Sequence, residues 1–397
     1  MLFPRYTDVR CLLCSSEFKL SEAPLAPITT PASAEAQVPA NHRSAALDRL
    51  PEHYNRVCPR CKWPLTYGQA TGQLSQHPIA MVGGPGVTKS HYLPVVLDQA
   101  KRRLRATLPG FDLVAQETRE PGAAHSVCSD ELLESRYGRL FGDAEQGTVI
   151  AKTPRSATHT DSRTPLIYRF SFPGRREFLT GRRQCVEFAF RDCAGEEFTE
   201  QLQEFHRYII HSAGILLLVD PTTIAGIRER LPPEVIQGRS ARPFEFDRIV
   251  SRLTALFERT TNLPVGARIR IPLAIVLTKA DLLRQMKDNA GAIFHEPDLL
   301  HAGGFNYRGV ERQQYQLRQL LAETGQGAIL AAIEAKFQTF GLFAVSALGH
   351  APTMGTTGTD SAIEQRIGRI QPWRVLDPLV WLLHHYGYVK ASDARTS

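Results

Sequence analysis

The apolar run at 78–82, Pro-Ile-Ala-Met-Val, leads directly into Gly83-Gly-Pro-Gly-Val-Thr-Lys89-Ser90 and then into a helical pattern over 91–105. Strand, glycine-rich turn and helix in that order restrict the chain more than any other feature. The turn can curl backbone N–H groups around an anion, and the helix N-terminus behind it adds a favourable field. The spacing is GxxxxGK[ST], with Thr88 standing at the second fixed glycine. In such a loop Gly83, Gly86, Val87 and Thr88 surround phosphate, Lys89 reaches the β/γ oxygens and Ser90 ligates Mg2+. Alone, the pattern is equally an ordinary strand–helix connection. Thr88 also puts a Cβ where backbone should approach phosphate.

Three further patterns follow in order, each at the end of an apolar run. The run at 185–190 leads into Asp192-Cys-Ala-Gly195, a DxxG turn whose Asp192 would hold Mg2+ through water and whose Gly195 N–H would meet a γ-phosphate. The run at 273–277 ends in Thr278-Lys279-Ala280-Asp281, matching [NT]KxD. There the Asp281 carboxylate would accept from guanine N1–H and N2–H2, with the Lys279 stem over the base. The run at 342–345 ends in Ser346-Ala347-Leu348, where a backbone N–H would meet guanine O6. Each is common alone. Four in sequence, all expected at the carboxyl ends of a parallel sheet, point to one ligand site.

Cysteine placement gives a second constraint. Cys11-Leu-Leu-Cys14 and Cys58-Pro-Arg-Cys61 are two CxxC knuckles. Two such knuckles supply four thiolates for tetrahedral zinc and leave no open position for catalysis. The rival readings are a redox dithiol and two unconnected turns. The pairs are separated by residues 15–57. That is longer than an ordinary ribbon of about 15–20 residues. The stretch 21–43, rich in Pro, Ala, Ser and Thr, is expected to be a disordered insertion.

These features divide the chain into a zinc-ribbon module at 1–66, a linker at 67–77 and an α/β domain at 78–397. In that domain a mostly parallel sheet would be flanked by helices, with an insertion at about 106–150 containing one helix over 130–141. Further strands are expected at 165–172 and 214–219, and helices after 90 and 197, over 243–260, over 311–340 and from Asp377. No apolar run approaches a membrane span and the N-terminus lacks a signal-peptide pattern, so a cytoplasmic location is expected. The net charge of +7 over 397 residues is mild. Residues 1–80 hold eight Lys/Arg against six Asp/Glu. A protein partner is therefore favoured over nucleic acid for the cysteine module. His206, His211, His384 and His385 lack metal-site spacing and read as ordinary surface or core histidines.

Residues 78–387 resemble a translation-factor-related (TRAFAC-class) P-loop GTPase. The zinc-knuckle leader, Lys89-Ser90-His-Tyr-Leu and Val375-Leu-Asp-Pro-Leu-Val-Trp-Leu-Leu are similar to bacterial GTPases encoded in multi-gene conflict or defence systems with double-GTPase and GTPase-associated components. The resemblance implies GTP/GDP, Mg2+ and Zn2+ as cofactors and an effector or regulator from the same system as partner. It implies nucleotide binding by Lys89, Ser90, Asp192, Gly195, Lys279, Asp281, Ser346 and Ala347. Glu196 follows Gly195 where many such enzymes carry a water-orienting Gln. A carboxylate there repels the γ-phosphate, so slow hydrolysis is expected, or help from a partner that supplies an arginine. Thr153 and Thr160 are the favoured first-switch candidates. The rival functions are a non-hydrolysing guanine-nucleotide adaptor and a zinc-ribbon nucleic-acid-binding factor.

Overall fold

The apolar runs of the sequence form one sheet because they lie side by side with both faces covered. The computed structural model describes residues 7–27, 54–84, 87–119, 126–137, 164–172, 184–192, 203–236, 246–261, 264, 266–286, 292–295, 300–301, 304–350, 353–355, 364–366 and 369–391. Its main sheet has seven strands: β1 Ser75–Gly83, β2 Asp112–Ala115, β3 Leu166–Phe172, β4 Gln184–Asp192, β5 Gly214–Val219, β6 Leu273–Leu277 and β7 Phe340–Ala344. Their spatial order is β7-β6-β5-β1-β4-β3-β2. The first five in that order run parallel, whereas β3 and β2 are antiparallel additions.

The helices named below are α1 Lys89–Gln99, α2 Ser129–Tyr137, α3 Gln203–Ile210, α4 Phe246–Thr260, α5 Tyr307–Leu321, α6 Gly327–Lys336 and α7 Asp377–His385. Strand alternation sorts the core into layers. Ile79, Met81, Leu216, Leu218 and Val276 pack with apolar side chains of α1, α2 and α7. Ala80, Val82, Ile215, Leu217 and Ile275 pack on the other side with those of α3, α4, α5 and α6. The fold is thus the expected α/β arrangement.

Four boundaries differ from expectation. The supposed linker is structured: Tyr67–Thr71 is a short helix capped by the Thr66 side chain, and β1 begins at Ser75. The supposed insertion contributes β2, which pairs with β3 and buries Leu113 while leaving Val114 exposed. The single helix expected over 311–340 is two, α5 and α6, broken where Thr324 and Gly325 leave helical geometry and Gly325 adopts φ 85°. The first residues of the expected disordered stretch are ordered, since Leu25–Pro27 pairs with Tyr54–Arg56.

The cysteine module is not an independent leader. Its buried side chains Val9, Leu12, Phe18, Leu20, Trp63 and Leu65 form one cluster with Ile167 of β3 and Ala189 of β4. The face of these two strands that would otherwise need solvent or a helix is covered by the module.

Candidate functional site

Strand register brings the expected turns after Gly83, Leu277 and Ala344 to one edge of the sheet. Gly83 of β1 pairs with Leu218, Val219 with Leu277, and Leu277 with Ala344. The loops that follow β1, β5, β6 and β7 therefore emerge together at the carboxyl ends of parallel strands. At that edge the strands on either side of β1 diverge in sequence order, which is the usual ligand crevice of such sheets.

The glycine-rich turn is tightly held. A Cβ on Gly83 would lie 2.7 Å from the Leu218 carbonyl and 2.8 Å from Val87 Cγ2, so only glycine fits. Lys89 is buried, and its Nζ donates to the Gly83 and Gly84 carbonyls at 2.8 and 3.1 Å. Thr88 adopts φ 64°, ψ 30°, the left-handed region, just before α1. Its hydroxyl donates to the Val87 carbonyl at 2.6 Å. Its own carbonyl accepts from Tyr92 N at 2.9 Å and opens the helix. Ser90 lies in the first turn, half-buried. Asp192 ends β4, at a strand end as expected. Gly86, Thr153, Thr160, Gly195 and Glu196 lie outside the described residues.

The turn after β6 closes on its neighbours. Lys279 adopts φ 52°, ψ 37°, and its ammonium pairs with Asp220 at the end of β5. Asp220 is buried and also accepts from Thr222 N and Oγ1, at 2.9 and 2.7 Å. Burial, and then the Lys279 charge, pushes His91 of α1 down to about 4. Thr278 is buried, with its N–H and hydroxyl both donating to the Val219 carbonyl.

Asp281 and Ser346 meet. The Ser346 hydroxyl donates to Asp281 Oδ1 at 2.6 Å and accepts from Gly349 N at 2.9 Å. Both side chains line a cavity of about 230 Å³, together with Arg284, Gly349 and Trp373. The Arg284 guanidinium lies 4.8 Å from the Phe294 ring centre and 5.3 Å from that of Trp373. Trp373 exchanges two backbone hydrogen bonds with Ser346, at 3.0 and 2.8 Å. Ala347 is buried. Sequence reasoning missed Asp220, Arg284 and Trp373. An acid at a strand end, as in Leu-Leu-Leu-Val-Asp220, was a usable signal; Trp373 had none.

The four cysteines also come together. All four Sγ atoms of Cys11, Cys14, Cys58 and Cys61 lie within 4.8 Å of one another. The two knuckles share one geometry. In each, the first Cys N–H donates five residues ahead, Cys11 to Ser16 and Cys58 to Trp63. The residue four ahead, Ser15 or Lys62, is left-handed at φ 57° or 60°. Four sulfurs converging within 4.8 Å of one another fit a closed tetrahedral Zn2+ site.

No protein-family model and no curated protein matches the sequence. Among solved structures, the chain is similar to Sup35 complexed with GDP, at 11% identity and TM-score 0.25 over 71% of this chain and 38% of that one. It is similar to the S. cerevisiae Ski7 GTPase-like domain bound to GTP, at 14% identity and TM-score 0.29 over 81% and 52%. The bacterial selenocysteine-specific elongation factor EF-Sec is similar at 11% identity and TM-score 0.23 over 69% and 26%. The chain therefore spans about half or less of the length of these proteins. At TM-scores this low nothing is transferred from them, and the site is read from its own residues. No helix among the described residues is long and apolar enough to cross a membrane.

Proposed function

We propose that the chain is a guanine-nucleotide-binding switch of the P-loop type that hydrolyses GTP slowly to GDP and phosphate. One observation carries this reading: the Asp281–Ser346 pair lines a cavity at the same sheet edge as the buried Lys89 turn. A carboxylate there accepts from guanine N1–H and N2–H2, and adenine has no N1–H to offer it. Lys89 exchanges its two carbonyl partners for phosphate oxygens, which removes no charge from solvent because the ammonium is already buried. The hydroxyl of Ser90 and the carboxylate of Asp192 are hard oxygen donors suited to Mg2+, which neutralises phosphate charge when bound. Slow turnover follows from Glu196, and a protein partner supplying an arginine would accelerate it. A cytoplasmic regulator within a bacterial multi-gene defence system is the cellular setting that fits the leader and motifs.

Nucleotide titration tests the reading. Guanine nucleotides should bind and adenine nucleotides should bind far more weakly. Asp281→Asn should cost on the order of 2–3 kcal/mol for GTP, the scale of a charge-assisted hydrogen bond. Equal affinity for ATP and GTP would remove the guanine assignment.

A further inference from the structure

Strand β4 has two unlike faces. Val186, Phe188 and Phe190 enter the core that α1 and α7 cover. The alternate residues Glu187, Ala189 and Arg191 face the cysteine module instead. Glu187 is fully buried, and its Oε2 accepts from the Thr66 hydroxyl at 2.5 Å and from Gln76 Nε2 at 3.2 Å. Arg169 of β3 lies 3.6 Å from its other oxygen. Ala189 belongs to the module's own apolar cluster. Arg191 is only 3% exposed and donates to the carbonyl of Leu13, inside the Cys11–Cys14 knuckle, at 3.4 Å. The same guanidinium sits 5.3 Å from the ring centre of Tyr208. Tyr208 is on α3 and donates to the Ile79 and Ala189 carbonyls at 2.9 and 3.1 Å.

Arg191 is therefore joined to the knuckle on one side and to α3 on the other. The next residue in the chain is Asp192, where β4 ends and the DxxG sequence motif begins. A buried guanidinium needs its acceptors. If the knuckle opens, the Leu13 carbonyl leaves, and Arg191 must find another partner by shifting the strand end or α3. Glu187 likewise loses hydroxyl donation if the Thr66 segment departs.

We propose that zinc loading of the four-cysteine cluster and guanine-nucleotide binding are coupled through β4, with Arg191 as the connecting residue. The coupling rests on the guanine-nucleotide reading above. Linkage makes it reciprocal: zinc strengthens nucleotide binding by the same factor by which nucleotide strengthens zinc binding. For couplings between distinct sites that factor is typically about 5–150-fold. No contact between metal and nucleotide is required, because the strand carries the difference.

The test uses the full zinc-loaded chain and a colorimetric chelator that reports free zinc. The equilibrium zinc affinity and the release rate are measured without nucleotide, with Mg-GDP and with Mg-GTP. At least one nucleotide should tighten zinc by about 5-fold or more, and stripping zinc should weaken a fluorescent guanine nucleotide by the same factor. Arg191→Gln should retain one zinc and bind nucleotide but lose the difference. Thr66→Val, which removes one hydroxyl and keeps the volume, should reduce it and guards against Arg191→Gln failing to fold. Nucleotide binding with zinc affinity unchanged overturns the coupling alone. Failure of the zinc-loaded chain to bind any guanine nucleotide overturns the reading on which the coupling rests, and a purified chain without zinc overturns the coupling directly.

Discussion

Thr88 offers the sharpest quantitative test of the glycine-rich turn. It is a β-branched residue at φ 64°, ψ 30° immediately before α1. A left-handed conformation brings Cβ close to the following carbonyl and costs a non-glycine residue about 1–2 kcal/mol. Against that, its hydroxyl donates to the Val87 carbonyl, a bond worth about 0.5–1.5 kcal/mol. Thr88→Gly removes both terms, so a small net gain of roughly 0.5 kcal/mol is expected from their difference. Thr88→Ala removes the hydrogen bond but keeps the Cβ, so it should destabilise by about 0.5–1.5 kcal/mol. The two variants should therefore differ by about 1–2 kcal/mol in favour of glycine, and comparing them isolates the Cβ from the hydroxyl. Chemical unfolding of the nucleotide-free protein, run side by side for the three chains, measures it. An alanine variant as stable as the glycine variant would refute the strain argument. Thr88→Gly should also tighten Mg-nucleotide binding or speed turnover; if it does neither, the loop has already adapted around the threonine.

Removing the Lys279 ammonium by Lys279→Met should leave the buried Asp220 carboxylate, among the described residues, with Thr222 as its remaining partner, and cost about 1–3 kcal/mol in unfolding experiments. His77, hydrogen-bonded to the Tyr388 hydroxyl and packed against Phe188 and Tyr386, is pushed by burial down to about 4, as is His91. Between about pH 4 and 6.5 the unfolded chain binds protons that the folded histidines refuse. Their contribution should be fully present above pH 6.5 and fall with acidification, by up to about 1.4 kcal/mol per pH unit for each group. Thermal scans across that window check it, and His77→Phe should flatten part of the slope. Purified protein should hold one zinc per chain by elemental analysis, lost in Cys58→Ser. Because Ile167 and Ala189 share the module's core, that variant should also lower the melting temperature of the sheet.

The strands that carry the site were legible because each is an apolar run closed by a recognisable turn. The observed strands β5 and β6 coincide with the runs at 214–219 and 273–277. What escaped had a physical cause in each case. The strand β2 reads Asp-Leu-Val-Ala, with Val114 turned to solvent, and an edge strand with one buried residue has almost no periodicity to detect. The break at Gly325 was hidden because Leu317, Leu320, Leu321, Leu330 and Ile333 all face the same core on either side of it. By strand alternation alone, Glu187 and Arg191 fall on the face opposite the apolar Val186, Phe188 and Phe190. They are buried only because a segment more than a hundred residues earlier in the chain packs over them. The Asp281–Ser346 pair was anticipated as two ligands of one base, yet neither motif foretold that Trp373 would brace it from behind.

The chain has three tryptophans, and the fold gives each a different environment. Trp63 stands within the cysteine module, its indole N–H donating to the Arg119 carbonyl at 2.7 Å. Trp373 borders the cavity, with the guanidinium groups of Arg284 and Arg374 5.3 and 5.7 Å from its ring centre. Trp381 is buried against Phe343 in the main core. Intrinsic emission from this protein is therefore a sum of three reporters, one for the cysteine module, one for the Asp281 cavity and one for the sheet. Replacing two of the three with phenylalanine would give a set of single-emitter chains needing no attached dye. In those chains a spectral change at Trp63 on adding nucleotide, or at Trp373 on removing zinc, would be visible as an event at the far site.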